Sequence, residues 1–95
     1  MEFVKRVVLD VLKPHQPNAL EFASALAEQA SDIQVTLNVV AVDEKTESVV
    51  AEIEGENINF ERLTAHIKEL GASVHSIDEV QVVSSHKPEK TPEDK

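Results

Sequence analysis

Apolar and polar positions alternate with a period of two in four stretches of the chain and recur at helical spacing in two others. The cleanest alternation covers residues 33–43, where Ile33, Val35, Leu37, Val39 and Ala41 interleave with Gln34, Thr36, Asn38 and Val40. Residues 3–13 are rich in β-branched side chains and stop at Pro14; Val7, Leu9 and Val11 line one face and Arg6, Val8, Asp10 and Leu12 the other. Residues 48–54 set Val49, Ala51 and Ile53 against Val50, Glu52 and Glu54, and the short polar link 43–47 before them reads as a hairpin turn. Residues 72–83 carry Val74, Ile77, Val80, Val82 and Val83. These four stretches predict strands.

The two helical stretches lie between them. Residues 17–30 are dominated by Ala, Leu and Glu, with Ala19, Phe22, Ala23, Leu26 and Ala30 on one stripe and Pro17 suited to a first turn, where its missing N–H costs nothing. The second helix starts at the N-cap Asn59, repeats Leu63, Ile67 and Leu70 behind Phe60, and stops at Gly71, where a left-handed residue ends helices. The order is therefore β-α-β-β-α-β. Two strand–helix–strand halves with right-handed crossovers give an α+β, ferredoxin-like sandwich: a four-stranded antiparallel sheet of order 4-1-3-2 with both helices on one face. The expected domain is 1–83. The last twelve residues, 84–95, hold no Val, Ile, Leu, Phe or Ala and balance three lysines against three acids, which predicts a disordered charged tail.

This layout leaves one sheet face bare. The alternation assigns it Val8, Leu12, Val40 and Val50 beside Arg6, Asp10, Asn38, Glu52 and Glu54. Exposed aliphatic residues in such a mixture predict a partner, and the simplest is another copy of the chain, so a homo-oligomer through the open face is expected.

Charge narrows the partners. Eighteen acidic residues oppose nine basic ones, a formal charge of −9 that repels nucleic-acid backbones and anionic membranes and favours cations. The absence of cysteine excludes disulfides, thiolate nucleophiles and iron–sulfur clusters. No apolar run approaches the roughly 20 residues of a membrane span. The N-terminus leads directly into a strand and does not read as a signal peptide, so a cytoplasmic protein is expected. With only two glycines there is no phosphate loop, with three Phe and no Tyr or Trp there is no stacking platform for RNA, and nothing supplies a recognisable nucleophile or acid–base pair, so the reading leans away from an enzyme.

Three segments taken together resemble a known family: Val7-Val8-Leu9-Asp10-Val11-Leu12-Lys13-Pro14-His15, Gly55-Glu56-Asn57-Ile58-Asn59-Phe60-Glu61, and His75-Ser76-Ile77-Asp78-Glu79-Val80. The chain resembles the archaeal domain-of-unknown-function family 211 over about residues 3–80. The resemblance implies a ferredoxin-like fold and assembly into oligomers, and implies no activity or catalytic residue. Asn59 departs from the Asp expected at that cap, which leaves the capping intact.

The polar residues of these segments are the candidate chemistry. Asp10 lies in an otherwise apolar central strand, where a carboxylate needs a cation, water or a polar partner. It reads either as a cation ligand or oligomer contact, or as an open-face residue paired with Arg6 or a lysine. Asp10, His75, Asp78 and Glu79 form the candidate metal set. Parity puts Ser76 with Asp78 and His75 with Glu79, and the register that joins one pair to Asp10 is open. Asp10 with Asp78 suits Ca²⁺ or Mg²⁺; Asp10 with His75 suits a transition metal. His15 reads as part of a stiff, proline-flanked turn, His66 as a solvated helix residue, and His86 as part of the tail. Two functions remain: a binding module holding a divalent cation or small ligand, and a structural or interaction oligomer with no ligand of its own.

Overall fold

A computed structural model describes residues 1–84. Strands β1 (Glu2–Pro14), β2 (Gln34–Val42), β3 (Thr46–Glu54) and β4 (Ser73–Ser84) alternate with helices α1 (Ala19–Ala27) and α2 (Phe60–Glu69) in the order β1-α1-β2-β3-α2-β4. The sheet is antiparallel with order β2-β3-β1-β4, the predicted 4-1-3-2 arrangement read from the other edge. β4 runs one residue into the segment expected to be tail, and residues 85–95 lie outside the described residues.

One core holds the sandwich together. Val7, Leu9 and Val11 of β1 and Val49, Ala51 and Ile53 of β3 face Phe22 and Leu26 of α1 and Leu63 and Ile67 of α2. All ten are 2 % exposed or less. Burial of aliphatic side chains this complete contributes about 1.5–3 kcal/mol each. Both helices therefore cover the face that the odd residues of β1 present.

The helix ends follow local chemistry. Asn59 accepts from the Arg62 amide at 3.0 Å. At the other end of α2 the Gly71 amide donates to the Lys68 carbonyl and the Ala72 amide to that of Ile67, with Gly71 at φ +88°. This is the Schellman arrangement, which satisfies the last carbonyls and favours glycine. α1 is shorter than the Ala/Leu/Glu content suggested. It starts after Asn18, which accepts from the Glu21 amide at 2.8 Å while Glu21 Oε1 accepts from the Asn18 amide at 3.1 Å. This capping box sets the start at Ala19 and leaves Pro17 outside the first turn. Ala30 falls beyond the helix and is exposed.

Four register shifts interrupt the ladders. On β2 the shift at Val40 moves Ala41 opposite Ser48, out of the alternation expected of it. Against β4 the shifts fall at Lys5, Asp78 and His75. A bulge adds one residue and turns the residues beyond it to the opposite face. Asp10 therefore stands opposite Ser76, Val8 opposite Glu79 and Arg6 opposite Gln81. Ser76, Glu79 and Gln81 share the open face although their numbers differ in parity.

Candidate functional site on the open sheet face

Among the described residues no helix lies over the face that carries Arg6, Val8, Asp10 and Leu12. Its centre is a charge cluster. Arg6 Nε donates to Glu79 Oε2 at 3.0 Å, Nη1 to Glu54 Oε2 at 2.5 Å and Nη2 to Glu52 Oε1 at 3.3 Å. The bond to Glu79, then that to Glu54, hold the guanidinium pKa above its ordinary value. Glu52 and Glu79 are also the residues directly opposite Val8 on the two flanking strands. The cluster thus spans Val8, which is only 8 % exposed. Val50 is half-buried, and Leu12 and Val40 are exposed. Of the four aliphatic residues expected to be exposed there, Leu12 and Val40 are; Val8 is buried between the salt-bridged Glu52 and Glu79, and Val40 sits at a bulge on the sheet edge.

Asp10 lies on the same face but outside that cluster. Arg6 turns to three glutamates, so the Asp10–Arg6 pair considered from sequence does not form. The half-buried Asp10 carboxylate has no hydrogen bond or ion pair within the described residues. It lines an open hollow of about 260 Å³ with Val11, Leu12, Ser48 and His75. The other two candidates are engaged elsewhere: Asp78 Oδ1 accepts from Ser76 Oγ at 2.8 Å, and Glu79 is bound to Arg6. His75 thus lines the same hollow as Asp10, while Asp78 is hydrogen-bonded to Ser76, the residue opposite Asp10, and Glu79 to Arg6. Among the described residues no three His, Asp or Glu side chains converge as a metal cluster.

A second polar cluster lies on the helix-facing side. Lys13 continues the buried series Val7, Leu9, Val11 and is 0 % exposed. Its Nζ donates to the Pro14 carbonyl at 2.8 Å and to Glu47 Oε1 at 3.1 Å, and lies 6.0 Å from the centre of the Phe22 ring. Glu47 Oε2 lies 3.0 Å from His15 Nδ1, and His15 Nε2 lies 3.0 Å from the Glu44 carbonyl oxygen. The His15 contact, then Lys13, lower the Glu47 pKa; Glu47, then Glu44, raise that of His15. Sequence reasoning treated His15 as turn scaffold and passed over Lys13 and Glu47. The signal was present: Lys13 shares parity with Val7, Leu9 and Val11, which predicts a buried ammonium in need of an anion.

On the edge strand β4, Ile77, Val80, Val82 and Val83 are each exposed. Ile77 and Val80 line an apolar groove of about 210 Å³ with Val4, Val7 and Phe60. The opposite edge strand, β2, contains no charged residue and exposes Val39, Val40 and Val42 at its end. No helix among the described residues is long and apolar enough to cross a membrane.

The similarities of the chain to known proteins name a family and no activity. Residues 5–92 match the model of the family DUF211, described as Uncharacterized ArCR. The chain is also similar to the Uncharacterized protein MJ0319 of Methanocaldococcus jannaschii, with 40 % identity over 80 residues, covering 84 % of this chain and 82 % of that protein. The match spans both sheet faces and every element from β1 to β4, and the chain belongs to the domain-of-unknown-function family 211.

Proposed function

We propose that the chain is a non-catalytic, oligomeric binding module that holds a divalent cation at Asp10 and His75, with the remaining ligands supplied by a second copy of the chain. The observation that carries this reading is Asp10: half-buried, its carboxylate without a protein partner among the described residues, and lining one hollow together with His75. A carboxylate in that setting gains most from a cation. The net charge of −9 favours the same class of ligand. Pairing with His75 rather than Asp78 shifts the preferred ion from Ca²⁺ or Mg²⁺ towards a transition metal, since imidazole suits Zn²⁺ and its neighbours. Two ligands from one chain leave coordination incomplete, which is why the reading includes a second copy.

Thermal melting with Ca²⁺, Mg²⁺ or Zn²⁺ tests this. A bound ion at 100 times its dissociation constant stabilises by about 2.7 kcal/mol. The expected result is a rise in Tm with at least one ion that Asp10→Asn and His75→Ala abolish. No response to any of the three, or one that survives both substitutions, contradicts it.

A second reading is an assembly protein without its own ligand. The exposed Ile77, Val80, Val82 and Val83 on an open sheet edge favour it, since an open edge offers backbone groups for a further chain; the charges on this strand, Asp78 and Glu79, are confined to the stretch between Ile77 and Val80. Here Val80→Lys, at a side chain already half exposed, dissociates the oligomer without unfolding the subunit.

A further inference from the structure

The β1–α1 loop and the β2–β3 turn are tied by one side chain, His15, and both of its ring nitrogens face acceptors. Nδ1 is 3.0 Å from a Glu47 carboxylate oxygen and Nε2 is 3.0 Å from the Glu44 carbonyl oxygen. A neutral imidazole carries one N–H and one lone pair, whereas the imidazolium carries two N–H donors. Acceptors at hydrogen-bond distance from both nitrogens therefore match the protonated ring. The charged groups around it are few. Glu47 on β3 carries the facing carboxylate, and Lys13 on β1 holds that carboxylate's other oxygen at 3.1 Å. The turn contributes the backbone carbonyls of Glu44 and Asp43, while the side chains of Asp43, Glu44 and Lys45 are exposed.

We propose that His15 is a proton-operated clasp on the β2–β3 turn: protonated, it holds the turn at Glu44 against the β1–α1 loop; deprotonated, it keeps Glu47 and releases Glu44. The order of release is set by acceptor strength. A carboxylate accepts a stronger hydrogen bond than a neutral carbonyl, so the one remaining N–H stays on Nδ1. The Nε2 lone pair then faces the Glu44 oxygen, and that contact opens. The hydrogen bond to Glu47, together with the weaker one to Glu44, puts the transition above the ordinary value of 6.5. The released turn closes the hairpin that carries edge strand β2, whose end exposes Val39, Val40 and Val42. Proton binding therefore sets how firmly the end of an uncharged sheet edge is held. This inference stands apart from the cation reading, since His15 and Glu47 share no residue with the Asp10 hollow.

The experiment is a pH titration of the ¹⁵N-labelled full-length chain by NMR, tracking the His15 ring nitrogens and the exchange of the Asp43 amide, which donates across the turn to the Thr46 carbonyl at 2.8 Å. The expected result has three parts. Both ring nitrogens are protonated below a transition that lies above pH 6.5, and the Nδ1–H tautomer is present above it. The Asp43 amide loses protection, relative to its intrinsic exchange, through the same transition. His15→Gln removes that pH-dependent loss, and Glu47→Gln moves the His15 transition back towards its ordinary value. A transition at or below pH 6.5, an Nε2–H tautomer above it, or an Asp43 amide indifferent to the His15 titration overturns the clasp.

Discussion

The two faces of β1 are built from the same strand and behave as different materials. On the helix side Val7, Leu9, Val11 and Lys13 are each 2 % exposed or less, and the one charge among them is bound to Glu47 and the Pro14 carbonyl. On the open side Arg6 is shared among three glutamates, Val8 lies beneath them, Leu12 is 42 % exposed and Asp10 has no partner among the described residues. The helix-side face is finished within the chain. The open face is tied by ion pairs around Val8 and not around Asp10, and that contrast is what the proposed function rests on. Arg6 lies on the same face as Asp10 but has its own partners.

The contrast can be broken first at its most buried point. Leu9→Ala is expected to cost about 2–5 kcal/mol in denaturant unfolding, while Leu12→Ala, three residues along and on the other face, should stay below about 1 kcal/mol. Equal losses would mean that the open face is covered as firmly as the core.

Lys13 sharpens the comparison. Lys13→Ala removes both the packed stem and the charge facing Glu47 and is expected to cost about 2–4 kcal/mol, whereas Lys13→Met, which keeps the stem, should fall within about 1.5 kcal/mol of the wild type. If Met is as damaging as Ala, the ion pair rather than the buried stem holds this corner. Away from either face, Asn59→Ala should cost about 1 kcal/mol through the lost cap on α2, read by the same unfolding curves.

The smallest effect expected is the dependence on pH. His15 has a folded pKa above its ordinary 6.5, so its contribution is complete below about pH 6.5 and is lost as pH rises through the raised value. Glu47 has a folded pKa below its ordinary 4.5, so its contribution is complete above about pH 4.5 and is lost as pH falls through the lowered value. The pair therefore stabilises most between these limits. His15→Gln should flatten the alkaline side of the stability profile and leave the denaturant slope unchanged; an unchanged alkaline side would mean that the contact contributes nothing to folding.

Much of the fold was legible because it rests on local signals. Asn59 and Gly71 bound α2 as their chemistry requires, and the Val7, Leu9, Val11 and Val49, Ala51, Ile53 series marked the buried face by simple alternation. The open face was less legible because its arrangement depends on pairing between distant strands. The bulge at Asp78 brings Ser76 and Glu79 to one face against their parity, and no local pattern announces it. Asp10 lies on the open face as its parity indicates, but which β4 residues stand opposite and beside it required the register. The capping box at Asn18 and Glu21 was readable from its spacing, while the Ala-rich stretch around it suggested a longer helix than tertiary packing keeps.

The proposed function completes the open face with two things at once, a cation at Asp10 and a second copy of the chain. Native mass spectrometry of the purified protein, before and after chelator treatment, measures both together. The expected result is a defined oligomer that carries a divalent metal, loses it to the chelator, and fails to bind it after Asp10→Asn. A monomer at micromolar concentration, or a metal-free oligomer that takes up no divalent ion and is unchanged by chelator, would contradict it.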